Sequence, residues 1–254
     1  MSAKLTVVIL TKDEEDKISR CIESVKWADE VLVIDDESMD RTREIAKGAG
    51  ARVIVNKSNG NFDNQRNIGI DNASGEWILQ MDADEVVTDK LGSKIVEAIS
   101  SPEDFAAFQF RRKNYFLGHF MRYAEQYHYW LRLFRKENGR YIGADIHEKL
   151  KIDGKTGVIE ADMEHFAFTS ISQFIARQNH YSSFEAQAMF VREGALPEKV
   201  IRYNIKIKPL KIFWKNYIKK NGYKDGMHGL IWCVLLAFRH IMIWTKYWEI
   251  IKQK

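Results

Sequence analysis

Over the first hundred residues, short apolar runs alternate with segments of helical period, and that alternation leaves the chain few folds to adopt. Residues 5–10, 30–35, 52–55 and 76–81 are dominated by Val, Ile and Leu and read as buried strands. Between them, residues 14–26 carry Ile18, Cys21, Ile22 and Val25 at helical spacing. Asp40-Arg41-Thr42 opens a second helix, with Asp40 as N-cap and Gly48 and Gly50 as the exit. Residues 63–73 form a third helix, with Ile68 and Ala73 inward and Gly75 as its stop, and residues 89–99 a fourth. Strand–helix repetition with short turns predicts an α/β fold, a mostly parallel sheet with helices on both faces. Ligands of such sheets bind at the carboxyl ends of the strands, where strand order switches.

Acidic residues gather at those ends. Asp13-Glu14 follows the first strand, Asp35-Asp36 closes the second, and Asp82-Ala83-Asp84-Glu85 follows the fourth. Alternation in an extended chain puts Asp82 and Asp84 on one side. Two such carboxylates repel each other unless a cation lies between them, and a divalent metal carrying a diphosphate is the natural occupant. Glu85 is read as backing the two aspartates or facing solvent. Carboxylates at the other strand ends can accept from a uracil N3–H or ribose hydroxyls. Arg66, near the start of the third helix, can clamp a phosphate or a base carbonyl.

Four blocks carry a resemblance to a known family. They are Val7 to Glu15 (VVILTKDEE), Val33 to Thr42 (VIDDESMDRT), Gln65-Arg66-Asn67-Ile68-Gly69, and Asp82-Ala83-Asp84. In order and spacing they resemble the family 2 glycosyltransferases of the GT-A, Rossmann-like fold. Within that family the chain is most similar to the small lipopolysaccharide-core β-1,4-glucosyltransferases, through Val25 to Glu30 (VKWADE), Arg132-Leu133-Phe134-Arg135, Ile146-His147-Glu148 and Asp225 to Gly229 (DGMHG). Asp13 stands where the family usually has Asn, and Glu37 where it usually has Gly.

The resemblance implies an inverting transfer from a nucleotide-diphospho-sugar with Mg²⁺ or Mn²⁺ as cofactor. It places Thr11, Glu14 and Asp36 on the nucleoside, with Asp35 as a further acidic partner, and Arg66 by the uracil or diphosphate. Asp82 serves ribose or metal, and Asp84 ligates the metal. Glu148 is the expected general base with Asp145 as its alternative, and His147 and Arg132 lie on the acceptor side. The implied reaction moves a hexose, glucose from UDP-glucose, onto a lipid-linked saccharide such as a lipopolysaccharide inner core. Transfer to a polyprenyl phosphate or another envelope glycan is the alternative, and a nucleotide-binding membrane scaffold the non-enzymatic one.

Residues 105–168 change character, with short extended pieces (105–112, 130–134, 148–152, 157–160) separated by turns such as Glu137-Asn138-Gly139. The expected division is a catalytic domain over 1–168, its nucleotide-sugar half 1–100 and its acceptor half 101–168, followed by a helical extension over 169–254. In that extension, residues 171–194 are predicted helical, with Phe174, Ile175, Tyr181 and Phe184 on one side. His165 and His180 have no partner at ligand spacing and are read as structural. Cys21 and Cys233 match no metal or redox spacing and suit a reducing compartment.

The net charge of +4 hides an asymmetry. Residues 1–100 sum to −7, and residues 197–254 to +10, with lysines interleaved among Trp, Tyr and Ile. A basic and aromatic tail beside an acidic domain points to an anionic membrane surface and away from nucleic acid, whose phosphates the acidic half repels. The first apolar run is too short for a secretory signal, and no run reaches about 20 apolar residues, so no clean membrane span is expected. The expected location is cytoplasmic, peripheral at the inner face of the cytoplasmic membrane. Oligomeric state is not readable from the sequence.

Overall fold

A computed structural model describes residues 4–58, 60–124, 127–142 and 150–253. The chain divides into two compact units. One comprises residues 1–113 and 128–165, the other residues 114–127 and 166–254.

The first unit is built on a mixed sheet. Strands β1 (Leu5–Thr11), β2 (Glu30–Asp35), β3 (Arg52–Val55) and β4 (Trp77–Asp82) pair in parallel in the order β3-β2-β1-β4. Beyond β4 the order continues with β8 (Tyr129–Arg135), β6 (Phe105–Phe116), β11 (Lys155–Phe168) and β5 (Glu85–Val87). There β8 runs antiparallel to β4 and β6, and β11 antiparallel to β5. The hairpin strand β7 (His119–Phe120) pairs with β6, and β9 (Gly139–Tyr141) with β10 (Leu150–Ile152) forms a separate ribbon.

Alternation along the strands explains the layers. Leu5, Val7 and Ile9 of β1, Val33 of β2 and Trp77, Leu79 and Met81 of β4 pack on one face against helices α1 (Ile18–Glu23), α2 (Thr42–Gly48) and α4 (Asp89–Ser100). Val8, Leu32, Ile34 and Ile78 point to the other face, which α3 (Phe62–Asn72) covers through Ile70. Gly69 makes that cover close, because a Cβ there would stand 2.3 Å from Val8 Cγ1. Helix α1 is shorter than its sequence pattern. Asp13 takes a left-handed φ of 50°, its N–H donates to Ser38 Oγ and its Oδ1 accepts from Met39 N, so residues 12–17 form a turn held to the loop after β2. The same loop keeps its tight turn although Glu37 replaces the usual glycine, at a φ of 53°.

A half-buried clip fastens the strand starts. Glu30 Oε2 accepts from Thr6 Oγ1, Ser74 N and Ser74 Oγ, each at 2.7 Å, and Oε1 accepts from Arg52 Nε and Nη2. One carboxylate thus joins β1, β2, β3 and the turn before β4.

The second unit packs α5 (Ile171–Glu193) along α8 (Gly226–Lys252), with α6 (Glu198–Lys206), α7 (Lys208–Trp214) and a π-helical turn, Lys215–Lys219, beside them. The buried stripe of α5 is Phe174, Gln178, Ser182 and Ala186, whereas Ile175, Tyr181 and Phe184 are exposed. This corrects the predicted face. Small and polar residues let α8 approach, and Gln178 Oε1 accepts from Arg239 Nε at 2.7 Å, with Glu185 completing the pair. Gly229 is required on α8, where a Cβ would meet Gly222 O at 1.9 Å. Asp225 just before it is buried and accepts from the N–H groups of Arg122, Tyr123 and Ala124. The helical stretch Gly222–Lys252 is, by length and composition alone, long and apolar enough to cross a membrane. The helix continues through Arg239, whose charge is matched by Glu185 inside the unit. Both cysteines are free and buried, and burial raises their thiol pKa values.

Burial opposes ionisation of Glu30, but the donors from Ser74, Thr6 and Arg52 outweigh it and hold its carboxyl down at about 2. A depressed folded pKa contributes stability above the unfolded value and loses it as pH falls towards 2. Glu30→Gln should cost on the order of 2 kcal/mol at pH 7 after allowance for screening. The gap to wild type should shrink steadily below pH 4.5. Denaturant titrations at several pH values measure it, and a pH-independent gap would contradict the clip.

Candidate active site at the carboxyl ends of β1, β2 and β4

The parallel register sets three strand ends level. Thr11 stands beside Asp35 and Leu10 beside Asp82. The chain then leaves the sheet through tied turns, in which Asp36 N donates to Thr11 O, Asn56 N to Asp35 O and Ala83 N to Leu10 O. Helix α3 begins at the same edge. Asn61 caps it by accepting from Asn64 N, and Gln65 is fixed to Asn56 by a pair of hydrogen bonds. Asp63, Arg66 and Ile70, at helical spacing, all lie on its buried face.

The helix therefore delivers Arg66 to the end of β4. Its Nη2 donates to Asp82 Oδ1 at 2.9 Å, and its guanidinium lies 5.4 Å from the ring centre of Tyr141. Arg132 of β8 reaches the other oxygen, Oδ2, at 3.1 Å. Both arginines are nearly fully buried. Glu85 is buried as well. Its Oε2 accepts from Asp82 N at 2.9 Å, and its Oε1 faces Arg112 at 3.1 Å and Arg132 at 3.5 Å. Arg112 stacks 4.0 Å over Trp130. Three guanidiniums thus converge on two carboxylates. Burial opposes ionisation of Asp82, but Arg132 first, then Arg66 and Arg112, hold its carboxyl far below the usual range.

Asp84 lies beyond Asp82 and faces His165 of β11, with Oδ1 3.4 Å from Nε2. Burial works against charge on both groups, yet each favours charge on the other, so Asp84 is shifted down and His165 up. An ionised carboxylate beside an imidazole is a donor set that a Mn²⁺ or Mg²⁺ ion accepts when phosphate oxygens fill its remaining positions. Among the described residues no three carboxylate, imidazole or thiol groups are placed to hold a metal by themselves, so a cation here needs its ligand's oxygens.

The remaining predicted residues divide between loop anchors and open acceptors. Asp36 is used by the loop after β3, accepting from Ser58 N and Ser58 Oγ, and it pairs with Lys12 at 3.3 Å. Glu14 pairs with Lys17 at 3.1 Å, and its N–H donates to Thr42 Oγ1. Asp35 accepts from Ser38 N through Oδ2, while its Oδ1 is buried without a partner, as is Thr11 Oγ1. Asp145, His147 and Glu148 lie outside the described residues.

Glu85 is buried behind Asp82, the first of the two places expected for it. Sequence reasoning missed three members. His165 does have an acidic partner, one far along the chain that spacing alone could not find. Arg112 arrives on a strand with no motif. Asp63 is 4% exposed, and neither of its carboxylate oxygens has a hydrogen-bond partner. Its place three residues before Arg66 was the available signal. Arg132, assigned to the acceptor side, sits against Asp82 and Glu85.

The family model described as glycosyl transferase family 2 matches residues 6–150. The chain is 28% identical over 260 residues to an uncharacterized glycosyltransferase of Rickettsia typhi, covering 97% of this chain and 87% of the relative. It is 24% identical over 235 residues to LpsC of Rhizobium meliloti, a lipopolysaccharide core biosynthesis glycosyltransferase, covering 89% of this chain and 85% of LpsC. Among solved structures, S. aureus TarS 1-349 aligns with a TM-score of 0.48 at 14% identity, over 98% of this chain and 90% of that one.

Removing Glu85 leaves Arg112 and Arg132 short of a buried counter-charge. Glu85→Leu should lower stability by about 3 kcal/mol, read as a fall of several degrees in melting temperature without ligand. A change within about 0.5 kcal/mol, the range of a neutral surface substitution, would contradict the network.

Proposed function

The chain belongs to glycosyl transferase family 2, and we propose that it transfers a hexose, glucose from UDP-glucose, with inversion onto a lipid-linked saccharide of the lipopolysaccharide inner-core kind. The observation that carries this reading is Asp82 gripped by Arg66 and Arg132, next to the Asp84–His165 pair, at the strand ends. Buried guanidiniums suit a leaving diphosphate, whose developing charge is the quantity such a site must stabilise. The acceptor class is supported by the likeness to LpsC.

On this reading Asp84 and His165 would hold a Mg²⁺ or Mn²⁺ ion together with the donor's phosphate oxygens, and the ion would supply positive charge to the leaving group. Asp82 is then shared between its two arginines and the ribose or the ion. Arg66, Arg132 and Arg112 orient the diphosphate. Thr11 Oγ1, Asp35 Oδ1 and both oxygens of Asp63 are buried acceptors that want donors, and the N–H and O–H groups of a nucleoside supply them. Glu148, with Asp145 as the alternative, takes the proton from the acceptor hydroxyl as its oxygen bonds to the anomeric carbon and the bond to the diphosphate breaks. The basic, aromatic second unit keeps the enzyme at an anionic membrane surface, peripheral on the cytoplasmic side.

With Mn²⁺ present, UDP-glucose should raise the melting temperature and be hydrolysed slowly without acceptor, because a ligand bound to the native state stabilises it by mass action. Asp84→Asn should remove the metal-dependent part of that rise. Asp63→Asn should weaken donor binding about tenfold, the loss of one charge-assisted hydrogen bond. Glu148→Gln should retain donor binding and lose transfer. Failure of any nucleotide-diphospho-sugar to raise the melting temperature would sink the proposal.

A further inference from the structure

Helix α7 and the π turn that follows it carry two apolar rows, and the fold consumes only one of them. Phe213 and Tyr217, stacked at 5.1 Å between ring centres, pack inward on the cluster around Trp232 and Phe174. The other row faces out, with Leu210 67% and Trp214 58% exposed. It lines a groove of about 570 Å³ formed by Ile207, Leu210, Lys211, Trp214, Lys215 and Lys219.

The π turn aligns the lysines of this groove. In an α-helix, residues four apart overshoot one turn of about 3.6 residues. In the wider turn closed by i→i+5 bonds, they fall short of one. The step from Lys211 to Lys215 and the step from Lys215 to Lys219 therefore rotate in opposite senses. The three lysine positions, all lining the groove, therefore return to nearly one line of the helix surface beside the apolar row, where an unbroken α-helix would have wound them away.

The occupant follows from charge. Seven lysines lie between residues 206 and 224, and no acidic residue lies between Lys199 and Lys224. A second copy seated on this face would bring like charges together, whereas a phosphate headgroup with an apolar chain matches both rows. We propose that this groove is a binding site for an anionic membrane phospholipid. The lysines take the phosphate, and Ile207, Leu210 and Trp214 lie among the acyl chains. It rests on the reading of a membrane-surface enzyme and locates that contact on α7 and the π turn rather than on α8.

Flotation of the full-length protein with vesicles of phosphatidylcholine, with and without phosphatidylglycerol, tests the site. Wild type should float with the anionic vesicles only, and 0.5 M salt, roughly halving the Debye length again from its physiological value, should release it. Lys211→Gln/Lys215→Gln/Lys219→Gln should weaken partitioning on the order of 100-fold, from a roughly fivefold factor per lysine. Leu210→Ser/Trp214→Ser should also release the protein, and Val234→Ser/Phe238→Ser on α8 should leave it bound. Unchanged melting temperatures and unchanged donor hydrolysis show that the variants fold. Equal flotation of groove variants and wild type, binding to neutral vesicles alone, or loss caused only by the α8 pair would overturn the assignment. If wild type shows no donor hydrolysis, the transferase reading fails, and flotation with melting still decides the groove.

Discussion

Asp82 is held at both oxygens by buried arginines from two different elements, Arg66 of α3 and Arg132 of β8. Much of the first unit is arranged so that this can happen. Gly69 brings α3 close enough to β1 for Arg66 to reach the end of β4. The antiparallel addition of β8 to β4 sets Arg132 on the opposite side. Glu85 then turns back to bind the Asp82 amide and to neutralise Arg112 and Arg132. Charges taken out of water at this density are costly unless matched. Such a dense set of buried charges is therefore held together at a cost in stability, an arrangement that concentrates at functional sites.

The parallel half of this architecture was legible in the sequence because every signal there is local. The limits of β2 and β3 match the apolar runs, and β1 and β4 differ from them by a residue. Alternation assigned faces, and acidic residues marked strand ends. The antiparallel half was less legible. β6 and β11 run to 12 and 14 residues, longer than their apolar patterns, because neighbouring strands satisfy their polar stretches. The face of α5 was misjudged because its close partner α8 selects small and polar contacts over bulky ones.

The site shows the same divide. Asp82 and Asp84 announce themselves as a motif, and Arg66 follows from its place on α3. Arg112 and His165 come from strands that only the folded chain brings near, so no spacing rule could reach them, whereas Arg132 was named through its motif but expected on the acceptor side. Asp63 carries no motif, and beyond its place three residues before Arg66 it is singled out by its burial without partners. The second unit posed a different problem. Its composition suggests the charge of a partner, yet composition cannot say which of several aromatic helices keeps an outward face. The π turn and the inward packing of Phe213 and Tyr217 settle that for α7.

The central claim is that the end of β4 is built for a diphosphate and its divalent cation, with Asp84 and His165 facing the metal. Pulsed electron paramagnetic resonance of Mn²⁺ bound together with UDP examines it without any need for turnover. A coupling to a directly bound histidine nitrogen should appear in wild type, vanish in His165→Gln, and be accompanied by weaker Mn²⁺ binding in Asp84→Asn. Mn²⁺ and UDP binding with the same affinity and the same spectrum in all three proteins would contradict it.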